Sequence, residues 1–74
     1  MSSAERVAEF LRMHRGAWYC DACISESTAV EPSNQVNQVT RPLALTSDFE
    51  RASSTQCRRC GQDRKCTRMR PAAA

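Results

Sequence analysis

Two Cys-x-x-Cys pairs, Cys20-Asp-Ala-Cys23 and Cys57-Arg-Arg-Cys60, are the residues of this chain best suited to chemistry. Thiolate sulfur is a metal ligand, and two such pairs supply the four donors of a tetrahedral site. The whole stretch from Ile24 to Gln56 lies between them, so one ion held by both pairs would close a large loop. The pairs also differ locally. Gly61 follows the second pair and permits positive φ, so that backbone N–H groups can point at sulfur. The first pair runs into Ile24 without a glycine, which suits a helix N-terminus, where the dipole favours thiolate. The expectation is one structural Zn²⁺ on Cys20, Cys23, Cys57 and Cys60, with iron as the alternative ion. The competing reading of these thiols is burial as small apolar groups, or oxidation to two local disulfides.

Length and composition favour the metal. A chain of 74 residues makes one domain at most, and one this small buries only about 60% of its unfolded surface. Its large apolar side chains are few, with two Phe, one Trp and one Tyr, so a cross-link or partner is needed for stability. Five cysteines are an odd number, and no apolar run after Met1 is long enough for export or for a membrane span. The expected location is therefore a reducing cytoplasm, where Cys-x-x-Cys pairs indicate metal rather than disulfide. No membrane and no small-molecule substrate is expected as a partner.

The elements that must position the thiols follow from local pattern. Ser2 and Glu5 form a capping box, and Ala4, Val7, Phe10, Leu11 and His14 make one stripe of a helix that Gly16 stops. His14 is read as a partly buried side chain near the end of that helix, with metal ligation as the lesser alternative. The aromatic run Ala17-Trp18-Tyr19 predicts a short strand. Asp21 is expected to cap a weak second helix at about residues 22–29. Val36, Val39 and Leu43 recur at i, i+3 and i+7 from a start at Ser33, predicting a third helix that Pro42 either kinks or ends. Residues 49–55 and 65–70 predict two strands, joined by a turn over 56–64. Cys66 is expected to be a packed strand residue, with a substitute ligand or reactive thiol as alternatives. One domain over residues 1–71 and a frayed tail at 72–74 complete the reading.

Helix, strand, helix, helix and hairpin is the element order of a winged helix-turn-helix domain. The fold class expected is α+β: a small zinc-stapled winged helix-turn-helix, with three helices and a short hairpin in a three-stranded sheet. In that topology the first strand pairs antiparallel with the last, which sets Cys20 and Cys23 beside the turn that carries Cys57 and Cys60. With its Trp18-Tyr19-Cys20-Asp21-Ala22-Cys23 and Cys57-Arg58-Arg59-Cys60-Gly61 segments, the chain resembles small bacterial zinc-containing winged-helix proteins over nearly its whole length. The resemblance implies transcriptional regulation by DNA binding.

The residues offer partners for that role. If the third helix buries Val36, Val39 and Leu43, its other face carries Asn34, Gln38 and Arg41, flanked by Gln35 and Asn37. Such side chains read base edges of double-stranded DNA. Formal charge is only +3, but Arg58, Arg59, Arg64, Lys65, Arg68 and Arg70 crowd residues 57–70 against the single acid Asp63. Arg51, Arg58, Arg59, Arg64, Lys65 and Arg68 are the expected phosphate contacts. Two other classes compete: a protein-interaction module using the same surface or the Trp18/Tyr19 edge, and a thiol redox sensor. An enzyme is not expected, because four thiols would fill a closed metal site and no nucleophile–base pair is evident.

Overall fold

The computed structural model describes residues 2–72. The expected tail at 72–74 lies, apart from Ala72, outside the described residues. Three helices, α1 (Ser3–Met13), α2 (Asp21–Thr28) and α3 (Ser33–Leu43), accompany the strands β1 (Tyr19–Cys20), β2 (Phe49–Gln56) and β3 (Asp63–Met69). The architecture is α+β, with one antiparallel sheet in the order β1-β3-β2.

The capping box forms as read. Ser2 Oγ accepts from the Glu5 N–H at 3.1 Å, and Glu5 accepts from the Ser2 N–H at 3.3 Å. Val7 and Leu11 of α1 are fully buried against Ile24 and Val36 in one core, which also takes in Val30, Tyr19 and Phe49. Two members of the expected stripe depart from it. Ala4 is exposed, and so is His14, whose ring rests on the rim against Phe10 at 4.6 Å and Tyr19 at 5.5 Å. Burial moves instead to Ala8, because the partners of α1 are other helices and a sheet rather than a flat surface.

Asp21 does not cap α2. It is the first residue of that helix, and Cys20 stands in the capping position with extended backbone and no side-chain cap. The helix closes at Ala29, a non-glycine residue in left-handed backbone at φ 60°. Helix α3 continues through Pro42 and ends one residue later at Leu43. Proline in the last turn removes only the bond to the Gln38 carbonyl, and the Ala44 N–H still reaches Thr40 O at 3.0 Å. The buried line of α3 is Val36 and Thr40, with Val39 and Leu43 only partly covered.

The hairpin is longer than its sequence pattern implied. Strands β2 and β3 pair from Phe49↔Met69 to Gln56↔Asp63, with Ser53 and Ser54 set against Lys65 where the register shifts. The connecting turn closes on itself through Cys57 N–H to Gln62 O and Gly61 N–H to Cys57 O, both at 2.9 Å. That closure lets the strands pair up to the base of the turn.

Candidate metal centre

Pairing of β1 with β3 places Cys20 opposite Cys66 and leaves the β2–β3 turn beside the end of β1. Cys20 ends β1, and Cys23 lies in the first turn of α2. Cys57 follows β2 directly, and Cys60 sits on the turn ahead of Gly61, whose φ is +75°. Two hydrogen bonds fasten the turn to β1 and the residue before it: Arg58 N–H to Trp18 O at 2.8 Å, and Cys20 N–H to the Cys57 Sγ at 3.4 Å.

The four sulfurs converge. Those of Cys20, Cys23, Cys57 and Cys60 all lie within 4.8 Å of one another, and the Cys20–Cys60 separation is 4.0 Å. A tetrahedral ion with bonds of about 2.3 Å to sulfur would need separations of about 3.8 Å, so a small contraction brings all four into range. Cys20, Cys23 and Cys57 are buried, whereas Cys60 is exposed. The four are positioned to hold one metal ion.

The proton affinities of these thiols follow their surroundings. Burial raises Cys57, yet N–H groups of Cys60, Cys20 and Arg59 directed at its sulfur outweigh burial and lower it to about 6. Cys23 is pushed up to about 12 by burial and by the thiols of Cys20 and Cys57. Burial also raises Cys20. One sulfur is thus prepared as a thiolate, while a cation would have to displace protons from two others. Cys66 lies outside the cluster, fully buried on β3, with its Sγ against Thr55 O at 3.6 Å. Burial first, and then the negative charge of Cys57 close by, raises it to about 12, which fits a packed strand residue.

The charged and amide residues are divided by the fold. Asn34, Gln35, Gln38 and Arg41 are exposed on α3. Asn37 is partly buried and donates to Asp21 at 3.0 Å. Arg51, expected to face phosphates, turns inward, and its side chain is only 17% exposed against Asp21. Arg68 bonds Glu50 and the Gly16 carbonyl and lies 4.4 Å over the Trp18 ring. Arg59 pairs with Glu26 at 2.6 Å. Among the described residues, Arg58, Arg64 and Lys65 are exposed and have no acidic partner. Arg64 and Lys65 share with Ser33, Asp21 and Ala22 a shallow cleft of about 360 Å³ at the start of α3.

Thr40 escaped the sequence reading. It is fully buried and bonded to Asp21 and Arg51. Its signal was available: a polar residue four positions after Val36 and three before Leu43 lies on the buried side of the helix.

No described helix is long and apolar enough to cross a membrane. Searches among protein-family models, curated proteins and solved structures give no match to this chain.

Proposed function

We propose that the chain is a zinc-stapled winged-helix domain that binds double-stranded DNA, with α3 reading bases and β3 contacting the backbone. The observation that carries this reading is the juxtaposition at the start of α3. Arg64 and Lys65 reach the same cleft as Ser33, which precedes Asn34, the first of the exposed residues Asn34, Gln38 and Arg41 on α3. Amide and guanidinium side chains on a helix face pair with adenine and guanine edges, and unpaired cations beside them neutralise phosphate. Zinc is the ion that best suits four thiolates on a closed tetrahedral site. The bound cluster would carry a charge of about −2, which Arg58 and Arg59 between the ligands help to offset. For this reason Arg64 and Lys65, rather than the turn arginines, are assigned the phosphates. The domain acts by binding and not by catalysis, since four protein ligands leave the ion no position for substrate.

Fluorescence anisotropy of the zinc-loaded protein with a randomised duplex pool tests the reading. Affinity should fall steeply with salt, and Arg64→Ala or Lys65→Ala should each reduce the salt slope by about 1 for all sequences. Asn34→Ala or Arg41→Ala should relax sequence preference by about 1–3 kcal/mol. Absence of duplex binding at low salt rules the reading out. A protein partner held with little salt dependence would favour an interaction module, for which Phe10 and the 74% exposed Met13 offer an apolar rim.

A further inference from the structure

Asp21 directly follows the thiol of Cys20, and its carboxylate gathers four hydrogen bonds. Oδ1 accepts from Arg51 Nη1 at 3.3 Å and Thr40 Oγ1 at 3.1 Å. Oδ2 accepts from Arg51 Nη2 at 3.1 Å and Asn37 Nδ2 at 3.0 Å. Arg51 Nη1 also donates to Thr40 Oγ1 at 3.0 Å and Thr67 Oγ1 at 2.9 Å. One carboxylate at the start of α2 thereby joins that helix to α3 and β2 and, through Arg51, to β3. Among the described residues, every side-chain hydrogen bond from α3 to another element ends on Asp21 or Arg51. Helix α3 has no side-chain cap at its own start, and Val36 and Thr40 are its only buried side chains. Its orientation therefore leans heavily on this cluster.

We propose that Asp21 is a positioning residue that transmits the state of the four-thiol centre to α3. When Cys20 and Cys23 are held by metal, the first turn of α2 is fixed, and Asp21 holds Asn37 and Thr40 in register. When the metal leaves, that turn loosens, Asp21 releases its bonds, and the exposed row of α3 is no longer presented in one orientation. The domain then binds duplex DNA in proportion to its metal occupancy. The DNA consequence rests on the function proposed above, whereas the mechanical link rests on the cluster itself.

The test uses the full chain loaded with one zinc, comparing wild type, Asp21→Asn and Thr40→Val. Thr40→Val keeps the Asp21–Arg51 pair and removes only the α3 hydroxyl, so it serves if Asp21→Asn fails to fold. Hydrogen exchange read by mass spectrometry should show α3 amides opening about tenfold faster or more, with α1 protection and zinc content unchanged. Duplex affinity should fall by a similar factor. In wild type, hydrogen exchange followed in time after chelator is added should show α3 opening before α1, ahead of the global unfolding that complete zinc loss brings. Unchanged α3 exchange overturns the proposal, as does acceleration shared equally by α1, α3 and the sheet, which marks general destabilisation. If wild type binds no duplex, the proposed function fails, and exchange in α3 alone decides whether Asp21 positions that helix.

Discussion

Two clusters tie the start of α2 to the hairpin, one of sulfur and one of oxygen and nitrogen. The sulfur cluster joins Cys20 and Cys23 to Cys57 and Cys60. The polar cluster joins Asp21 to Arg51, Thr40, Asn37 and Thr67. They begin on consecutive residues, yet they differ in how their partners are specified. Four thiols at Cys-x-x-Cys spacing have few other roles, and they name each other in the sequence. An aspartate at a helix start and an arginine in a strand have many roles, and nothing local selects this one. A cluster able to hold a metal therefore declares itself, whereas a partly buried ion pair appears only when the fold brings its members together.

The widest separation between the clusters should come from cutting the first. Cys23→Ser or Cys60→Ser should abolish metal binding and leave the chain largely unfolded, because ligation supplies much of the folding free energy of so small a domain. Loss of helical circular dichroism together with loss of metal in native mass spectrometry checks this. A folded, metal-free variant of unchanged stability would remove the staple from the account.

Acid should attack the sulfur cluster next. Without metal, Cys20 and Cys23 are raised by burial and hold their protons through neutral pH, so a cation must displace them. Metal affinity should therefore fall as pH falls, by roughly tenfold per pH unit for each proton displaced. Cys57, lowered to about 6, adds a competing proton only below that pH. Competition with a chromophoric chelator over about pH 6–8 should give a slope of at least two protons, those of Cys20 and Cys23.

Cutting the polar cluster should cost less. Arg51→Met leaves the Asp21 carboxylate without its main partner and should destabilise the holoprotein by about 2–4 kcal/mol. The loss lies somewhat below that for fully buried pairs because 17% of each side chain reaches solvent. Adding Asp21→Asn should recover part of the loss, which denaturation midpoints of the two single variants and the double would reveal. Equal additivity would mean that the two side chains do not act as a unit.

Backbone changes sharpen the contrast between the turn that carries Cys60 and the far end of α2. Gly61 sits at φ +75°, where an added Cβ meets nothing nearer than Gln56 Nε2 at 3.9 Å. Gly61→Ala should thus cost about 1–2 kcal/mol from backbone strain alone. Ala29→Gly should act in the opposite direction by up to about 1 kcal/mol, since Ala29 already occupies left-handed backbone at φ 60°. The smallest effect belongs to Glu26→Ala, which cuts the exposed pair with Arg59 and should leave the thermal midpoint unchanged within error.

Much of the frame was legible. Ser2 and Glu5 declared the start of α1, the period of Val36 and Leu43 declared α3, and the strand patterns declared the hairpin. These signals are local, so short-range sterics and hydrogen bonding write them into neighbouring residues. The buried side of α3 was less legible. Thr40 replaced Val39 as its second fully buried residue, because polar partners from α2 and β2 meet it there. Arg51 counted as a surface cation in the sequence and became an internal one for the same reason.

By itself the sequence determined the four cysteines positioned to hold a metal ion, their division between a helix start and a glycine-closed turn, and the order of elements that carries them. Each depends on residue type and near-neighbour spacing. Tertiary structure alone decided that Asp21 serves α3 instead of capping α2, and that Arg51 leaves the surface. It also decided that Arg64 and Lys65 meet the start of α3. Those outcomes depend on strand register and helix packing between distant positions, such as Asp21–Asn37, Asp21–Arg51 and Ser33–Lys65. Side-chain chemistry at one position carries no record of a partner that distant.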